Sequence, residues 1–186
     1  MYFENTILIY TIPIWIIIRF FLCLRAKKYH AFSFKREILV NILFVYILCV
    51  VSITFFPMYF SEDSSYLSVN FIPVWNTIKE LISIRNSNIP NFMILFWGKN
   101  IAGNMLLLLP LGFLVPILWQ RFQDGRKMIL FTFCFSLSIE LMQLLLMYIG
   151  LTGRAFDVDD IILNTLGGCI GYFLYKKLLR ERMVKK

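Results

Sequence analysis

Acidic, basic and amide side chains are concentrated in one short stretch that leads directly into an apolar segment. This stretch, GRAFDVDDIILNTLGGCIG (residues 153–171), starts with Arg154 and three aspartates and still carries Asn164 further along. Polar groups at the point where a chain enters lipid cost free energy and usually serve a function. Carboxylates, amides and an arginine can bind hydroxyl, sugar and phosphate groups, and a carboxylate can also act as a general acid or base.

Two further apolar runs carry polar residues at helical spacing. Asn100 and Asn104 stand four residues apart, and Glu140 shares a helix face with Gln143 and Ser136. A structural interpretation stays open for several of these positions, because Asn and Asp favour helix N-caps and asparagines also join helices in lipid. Glu140 is the residue with the clearest potential for chemistry, since a carboxylate far from the membrane surface needs a partner or a function.

The composition indicates a membrane protein. Of the 186 residues 59% are hydrophobic and only 16% are charged, and the mean hydropathy is +0.72. Soluble domains are about 45–50% apolar and about 25% charged. The net charge of +8 comes from short basic clusters between apolar runs, a pattern that orients membrane helices and does not indicate nucleic-acid binding. The four cysteines lie within apolar runs and have neither metal-ligand nor disulfide spacing.

Five apolar runs are long enough for helices that cross a bilayer core about 30 Å thick. They cover roughly residues 6–24, 38–57, 100–119, 127–149 and 160–179. The predicted fold is an all-α integral membrane bundle of about five transmembrane helices. Fourteen of the 19 Lys and Arg residues cluster at the C-terminal ends of the first, third and fifth runs and in the connections that follow. The positive-inside tendency makes those connections cytoplasmic, so we expect a multi-pass protein of the cell membrane with its N-terminus outside and its C-terminus cytoplasmic.

The expected organisation has four parts. Residues 1–60 hold two N-terminal transmembrane helices, residues 61–99 an extracytoplasmic loop, residues 100–180 a three-helix core and residues 181–186 a basic cytoplasmic tail. The first helix is expected to remain as an anchor, because the start of the chain lacks the basic region of a cleaved signal peptide.

The long loop is predicted to lie in the outer membrane interface. Trp75, Ile78 and Leu81 recur at helical spacing, which indicates a short amphipathic helix with Asn70 as a cap. The next apolar segment, residues 89–97, is about half the length needed to cross, so we expect it to be interfacial or re-entrant. A plain tether and a lid over a site are both compatible with this pattern.

In this topology the polar residues of the last three helices lie at overlapping depth in the outer half of the membrane. Buried polar groups need partners in lipid, so we expect these helix faces to meet in one outward-facing polar pocket. For Arg154 and the three aspartates, the alternative is an ordinary solvated loop. The three aspartates also suit a divalent cation, but no second cluster accompanies them, and we predict neither a metal ion nor a cofactor. The expected binding residues are Asn100, Asn104, Glu140, Gln143, Arg154, Asp157, Asp159, Asp160 and Asn164.

Four glycines are predicted to serve helix packing. Gly167 and Gly171 form a GxxxG pattern, Gly168 extends the same small surface, and Gly103 lies in the third apolar run. Small residues at this spacing allow two helix backbones to approach closely. The partner can be a helix of the same chain, or a second copy in a homodimer through the Gly167/Gly171 face.

Three blocks of the sequence resemble the signature blocks of the VanZ-like family. They are NIAGNMLLLLPLGFLVPIL, SLSIELMQ and GRAFDVDDIILNTLGGCIGY, within residues 100–172. The segment FIPVWNTI with the preceding Asn70 is similar to an earlier family segment, with Asn70 and Pro73 matching and Val74 in place of an aromatic residue. The resemblance implies an integral membrane protein of a family whose namesake confers resistance to teicoplanin, a lipid-tailed glycopeptide. The resemblance implies that the polar residues of these blocks match the family pattern, but it assigns no catalytic role to any of them.

Two functions compete. In the first, the chain binds membrane lipids and engages a lipid-linked envelope precursor or a lipoglycopeptide in the polar pocket. In the second, it is an intramembrane enzyme that modifies lipid headgroups or lipid-linked sugars, with Glu140 as the candidate catalytic acid or base. A transporter is a weaker alternative, since the sequence has no internal repeat. Whether the chain is an enzyme is left open, and the response to Glu140→Gln separates the two main alternatives.

Overall fold

The computed structural model describes residues 2–28, 32–56, 59–60, 69–72, 79, 82, 90–152 and 156–180. The chain divides into two units, Met1–Met58 and Tyr59–Lys186. Each unit is built from helices whose apolar residues extend all around the helix, as expected for helices surrounded by lipid or other helices.

The first unit is an antiparallel helical hairpin. Helix α1 (Tyr2–Lys28) and helix α2 (Phe34–Phe55) are joined by a short connection. Trp15 Nε1 donates to Asn41 Oδ1 at 2.9 Å, and its ring stacks on Phe44 with centroids 4.0 Å apart. Nearer the connection, Arg19 forms an ion pair with Glu37, with Nε 2.7 Å from Oε1. These contacts set the register of the two helices, because polar groups in lipid must find partners.

The second unit contains three long helices. Helix α3 covers Pro90–Leu118, a short 3-10 helix covers Gln120–Gln123, helix α4 covers Gly125–Tyr148, and helix α5 covers Val158–Tyr175, with a π-helical turn at Lys176–Arg180. Asp124 caps α4 by accepting from Arg126 N, as Asp side chains commonly do at this position. At the other end of α4, Gly150 has a φ of 82°, which allows a tight turn towards α5.

Two pairs of very short strands connect the segment before α3 to the turn between α4 and α5. Strand β1 (Tyr59–Phe60) pairs antiparallel with β3 (Leu151–Thr152), with Tyr59 opposite Thr152. Strand β2 (Val69–Asn70) pairs in parallel with β4 (Phe156–Asp157), with Asn70 opposite Asp157. The start of α5 is therefore held by a segment that lies almost ninety residues earlier in the chain.

Glycines allow α5 to lie directly against its two neighbours. A Cβ atom at Gly167 or Gly171 would overlap the backbone carbonyl oxygen of Met105 or Leu109 on α3. A Cβ at Gly168 would overlap Thr132 on α4, with Thr132 Cβ only 2.8 Å away. The Gly167/Gly171 face thus packs against α3 of the same chain, which is one of the two partners considered from the sequence. Helix α5 contacts α3 most extensively and α4 next.

Gly103 does not share this role. It is exposed, and no described atom lies within 4 Å of the position that its Cβ would take. The glycine of α3 that does pack closely is Gly112, whose Cβ would overlap the backbone of Gly168. Gly103 lies on the face of α3 opposite Met105 and Leu109, so it does not pack against α5, and a packing role with another partner stays a prediction. Sequence spacing within one helix does not define which face meets the neighbour.

The all-α fold with five long helices is confirmed. Within the described part of the chain, three of them are long and apolar enough to cross a membrane, at Phe34–Phe55, Gly98–Leu118 and Gly125–Tyr148. For α1 and α5, crossing stays a prediction, and in α5 the two aspartates and Asn164 reduce the apolar character. The third long helix begins earlier than expected, because residues 90–97, predicted as an interfacial or re-entrant segment, form the first turns of α3. Their interfacial position stays a prediction.

Part of the predicted loop and tail lies outside the described residues. Of the proposed amphipathic helix, Lys79 and Ile82 are described, and both are helical and exposed. The basic tail, residues 181–186, is not among the described residues. The four-part organisation with its interfacial helix therefore stays a prediction in these places.

A glycine substitution tests the packing of α5. Gly167→Ala places a methyl group against the α3 backbone and should lower the free energy of unfolding by about 1–3 kcal/mol or more. The matched control is Gly103→Ala, which meets nothing within 4 Å and should be neutral or stabilising by up to about 1 kcal/mol. Denaturant or thermal unfolding in detergent micelles measures both. Equal stability of the two variants would contradict this packing.

Candidate functional site

Polar side chains of α3, α4 and α5 meet at one end of the second unit, where α4 ends and α5 begins. Four of them are almost completely buried, with exposed fractions of 6% for Asn104, 2% for Glu140, 6% for Gln143 and 2% for Asn164. Burial of so many polar groups is costly unless they are hydrogen-bonded. The structure describes most of these bonds.

Glu140 holds the first turn of α5. Its Oε2 atom accepts a hydrogen bond of 3.0 Å from the backbone N–H of Asp157. Asp157 is the N-cap of α5, and its Oδ1 accepts from Asp159 N at 2.8 Å. This geometry satisfies N–H groups that a helix start leaves without intrahelical partners. The carboxylate of Glu140 therefore positions the turn that carries the aspartates.

Asn70 joins the same group from the segment before α3. Its Nδ2 donates to Asp157 Oδ1 at 2.8 Å, and its Oδ1 accepts from Ile72 N at 3.3 Å. Asn70 is itself buried, with 8% of its surface exposed. Its predicted role as a cap of the loop helix stays a prediction, because residues 73–78 are outside the described part of the chain. In the structure its amide links β2 to the N-cap of α5.

Two asparagines connect α5 to the other helices. On α3, Asn104 Nδ2 donates to Asp160 Oδ1. Deeper in the bundle, Asn164 Nδ2 donates to Ser136 Oγ on α4 at 3.1 Å. Asn164 Oδ1 is buried and has no hydrogen-bond partner among the described residues. These bonds place Glu140 and Asn164 in the same helix interface, since Ser136 lies one turn below Glu140 on α4.

The site changes from accessible to buried along the bundle axis. Asn100 is exposed, and the three aspartates at the start of α5 are half-buried. Below them lie the buried Asn104, Glu140 and Asn164. Thr132 then ends the polar row on α4, and Met128, one turn further, is fully buried and apolar. The polar residues therefore form a continuous region that is accessible at the end near Asn100 and is closed by apolar side chains at the other end.

Not every predicted site residue can be placed. Arg154 lies outside the described residues. Gln143 is buried on the same face of α4 as Glu140, and Asn100 lies one turn from Asn104, nearer the start of α3. Among the described residues, no group of three or more His, Cys, Asp or Glu side chains is arranged to hold a metal ion.

The described groups of the site are rich in hydrogen-bond acceptors. Glu140 and the three aspartates contribute four carboxyl groups, and the asparagines add amide oxygens and N–H donors. Such a set complements ligands with hydroxyl, amide N–H or ammonium groups. Several of these carboxyl groups already accept protein N–H donors, so the arrangement is organised before any ligand arrives.

Two residues of the site were not among the predicted binding residues. Asn70 stands more than eighty residues before Asp157, and only its match to a family segment signalled it. Ser136 shares a helix face with Glu140, and this spacing is the signal that could have added Ser136 to the predicted binding residues. Its hydroxyl oxygen accepts the hydrogen bond from the side-chain amide of Asn164, and Ser136 is fully buried.

A pair of serines on α4 tests the buried part of the site. Ser136→Ala removes the partner of the buried Asn164 amide and should cost about 1–3 kcal/mol of folding free energy. Ser138→Ala is the control, because Ser138 is exposed and bonds only to Cys134 O one turn earlier on its own helix. Unfolding titrations in the same detergent compare the two variants. A loss of stability in Ser138→Ala equal to that in Ser136→Ala would be the contrary result.

Of three comparisons with known proteins, one identifies a family. No curated protein and no solved structure matches the chain. The sequence profile of the VanZ/LLP1 family matches residues 43–180, which include the second half of α2 and all of α3, α4 and α5. Because the match covers well over half of the chain and contains the whole polar site, the chain belongs to the VanZ/LLP1 family.

Proposed function

We propose that this VanZ-like membrane protein binds an amphiphile of the cell envelope through the polar site at the junction of α3, α4 and α5. The ligand is a lipid-linked precursor or a lipoglycopeptide of the teicoplanin type, and binding the latter confers resistance. The observation that carries the proposal is the gradient of polar groups from the exposed Asn100 to the buried Asn164, contributed by three helices.

The surface around the site supports an amphiphilic ligand. Apolar side chains that point outward border the polar residues on α4 and α5, among them Leu141 (50% exposed), Leu145 (57%) and Leu166 (48%). A ligand with a polar head and an acyl chain would place the head at the carboxyl and amide groups and the chain along this apolar surface. Such a division follows from the cost of moving polar groups into hydrocarbon.

The membrane orientation proposed from the basic residues puts the site in the outer leaflet. Five of the eight described basic residues of the second unit support this proposal, because Arg121, Arg126, Lys127, Lys176 and Lys177 are exposed at the opposite end of the bundle from Glu140. Lys99 is an exception, since it lies next to Asn100 at the same end as the polar site. The positive-inside tendency makes that end cytoplasmic. Envelope precursors and glycopeptides are then accessible from the side where the polar site opens.

An intramembrane enzyme is the competing function, with Glu140 as proton donor or acceptor. The hydrogen bond between Glu140 Oε2 and the Asp157 N–H favours binding, because it gives this carboxylate a positioning role at the start of α5. An amide oxygen can accept the same hydrogen bond, whereas an amide cannot transfer a proton as a carboxyl group does. The two functions therefore predict different results for Glu140→Gln.

The first test uses resistance and binding together. Wild-type chain expressed in a teicoplanin-susceptible bacterium should raise the inhibitory concentration of teicoplanin. Native mass spectrometry of the purified protein should detect teicoplanin or a co-purified envelope lipid. Glu140→Gln should weaken binding about fivefold, since a hydrogen bond to a neutral group is about 1 kcal/mol weaker than one to a charged group. Glu140→Leu should abolish it.

Ser138→Ala serves as the control for expression and membrane insertion and should behave as wild type. Complete loss in Glu140→Gln, equal to that in Glu140→Leu, together with conversion of a lipid substrate by wild type, would support the enzyme instead. Absence of any bound envelope lipid or glycopeptide from the wild-type protein would refute the binding function.

A further inference from the structure

The hairpin of α1 and α2 contains a groove that the polar site does not use. Its volume is about 370 Å³, and it is lined by Ile12 and Trp15 of α1 and by Phe44, Leu48 and Cys49 among other residues of α2. Ligand sites commonly have volumes of about 300–1,000 Å³. A concave groove of this size can hold an acyl chain in a fixed place, which a flat helix surface in lipid does not do.

The polar groups at one end of the groove are already satisfied. Asn41 Oδ1 accepts from the indole of Trp15, and Asn41 Nδ2 donates to Glu37 O at 2.9 Å. Arg19 and Glu37 pair with each other just beyond. The groove therefore offers mainly apolar contact, and its occupant is the hydrocarbon part of a molecule.

Charge at the helix connection indicates the headgroup of that molecule. Lys27 and Lys28 at the end of α1 and Lys35 and Arg36 at the start of α2 are all exposed. Lys35 precedes Asn41 by six residues, about 9 Å along the helix. A lipid phosphate bound by these basic residues would thus lie about 9 Å from the end of the groove at Asn41. The glycerol backbone and the ester groups of the lipid would span this distance.

The length of the groove matches one leaflet. From Asn41 to Ser52, both of which line it, α2 rises by about 16 Å. Half of a bilayer core is about 15 Å. We propose that the α1–α2 hairpin binds an anionic phospholipid of the membrane, with one acyl chain in this groove and the phosphate at the basic residues of the connection. This proposal uses none of the residues of the Glu140 site and is independent of the function proposed for that site.

Quenching of Trp15 fluorescence by brominated lipids tests the site directly, because the Trp15 ring lines the groove. The full chain with Trp75→Phe, Trp97→Phe and Trp119→Phe retains Trp15 as its single tryptophan. In lipid nanodiscs, brominated phosphatidylglycerol should half-saturate the quenching at a mole fraction at least about fivefold lower than brominated phosphatidylcholine, given the attraction of each basic residue for anionic lipid.

Variants separate the two parts of the site. Lys35→Gln with Arg36→Gln should reduce the preference for phosphatidylglycerol, because two of the four basic residues remain, and should leave quenching by phosphatidylcholine unchanged. Cys49→Phe fills the groove and should reduce quenching by both lipids. The control is Ile53→Phe, a change at an exposed position of α2 that does not line the groove and should have no effect.

Three results would overturn the proposal. The first is equal half-saturation by the two lipids, which removes headgroup recognition. The second is quenching that does not change in Cys49→Phe, which means that no lipid enters the groove. The third is a disulfide-linked dimer through Cys49 in membranes, which identifies a second copy of the chain as the occupant.

Discussion

The close approach of α5 to the α3 backbone is the constraint on which the second unit depends. Gly167 and Gly171 have no side chain to separate the helices, so carbonyl groups of Met105 and Leu109 lie where Cβ atoms would otherwise be. Lipid gives little hydrophobic driving force for helix association, and such contacts depend on van der Waals packing and hydrogen bonds. At this separation Asn104 on α3 reaches Asp160 on α5. The glycines therefore determine the geometry of the polar site, although they do not belong to it.

The start of α5 is the second point at which separate parts of the chain converge. Asp157 caps the helix, Glu140 accepts its backbone N–H from α4, and Asn70 reaches its carboxylate from the segment before α3. An N-cap normally stabilises one helix. Here the cap also ties α4 and the strand β2 to α5. A site whose polar groups are held in this way is organised in advance, which lowers the ordering cost of binding a ligand.

Much of the fold was predictable from composition and spacing. Long apolar runs and their basic flanks indicate membrane helices, because hydrocarbon leaves the backbone few alternatives to a helix. The polar residues Ser136, Glu140 and Gln143, spaced i, i+4 and i+7 on α4, correctly identified one face of that helix. Gly103 shows the limit, since a small residue in an apolar run does not reveal whether its face meets another helix or lipid. The start of α3 shows a second limit. Residues 90–97 are too few to cross the membrane alone, but in the structure they extend α3, which therefore begins earlier than expected.

The sequence by itself determined the class of protein, the five helices and the identities of the polar residues that enter the bundle, since these follow from local hydropathy and helical period. Only the tertiary structure decided their partners. It paired Glu140 with a backbone N–H, bound Asn70 to Asp157 across more than eighty residues, and covered the GxxxG face with α3. The physical reason is that hydrogen bonds and backbone contacts between helices depend on rotation, depth and crossing of whole elements, which local spacing does not specify.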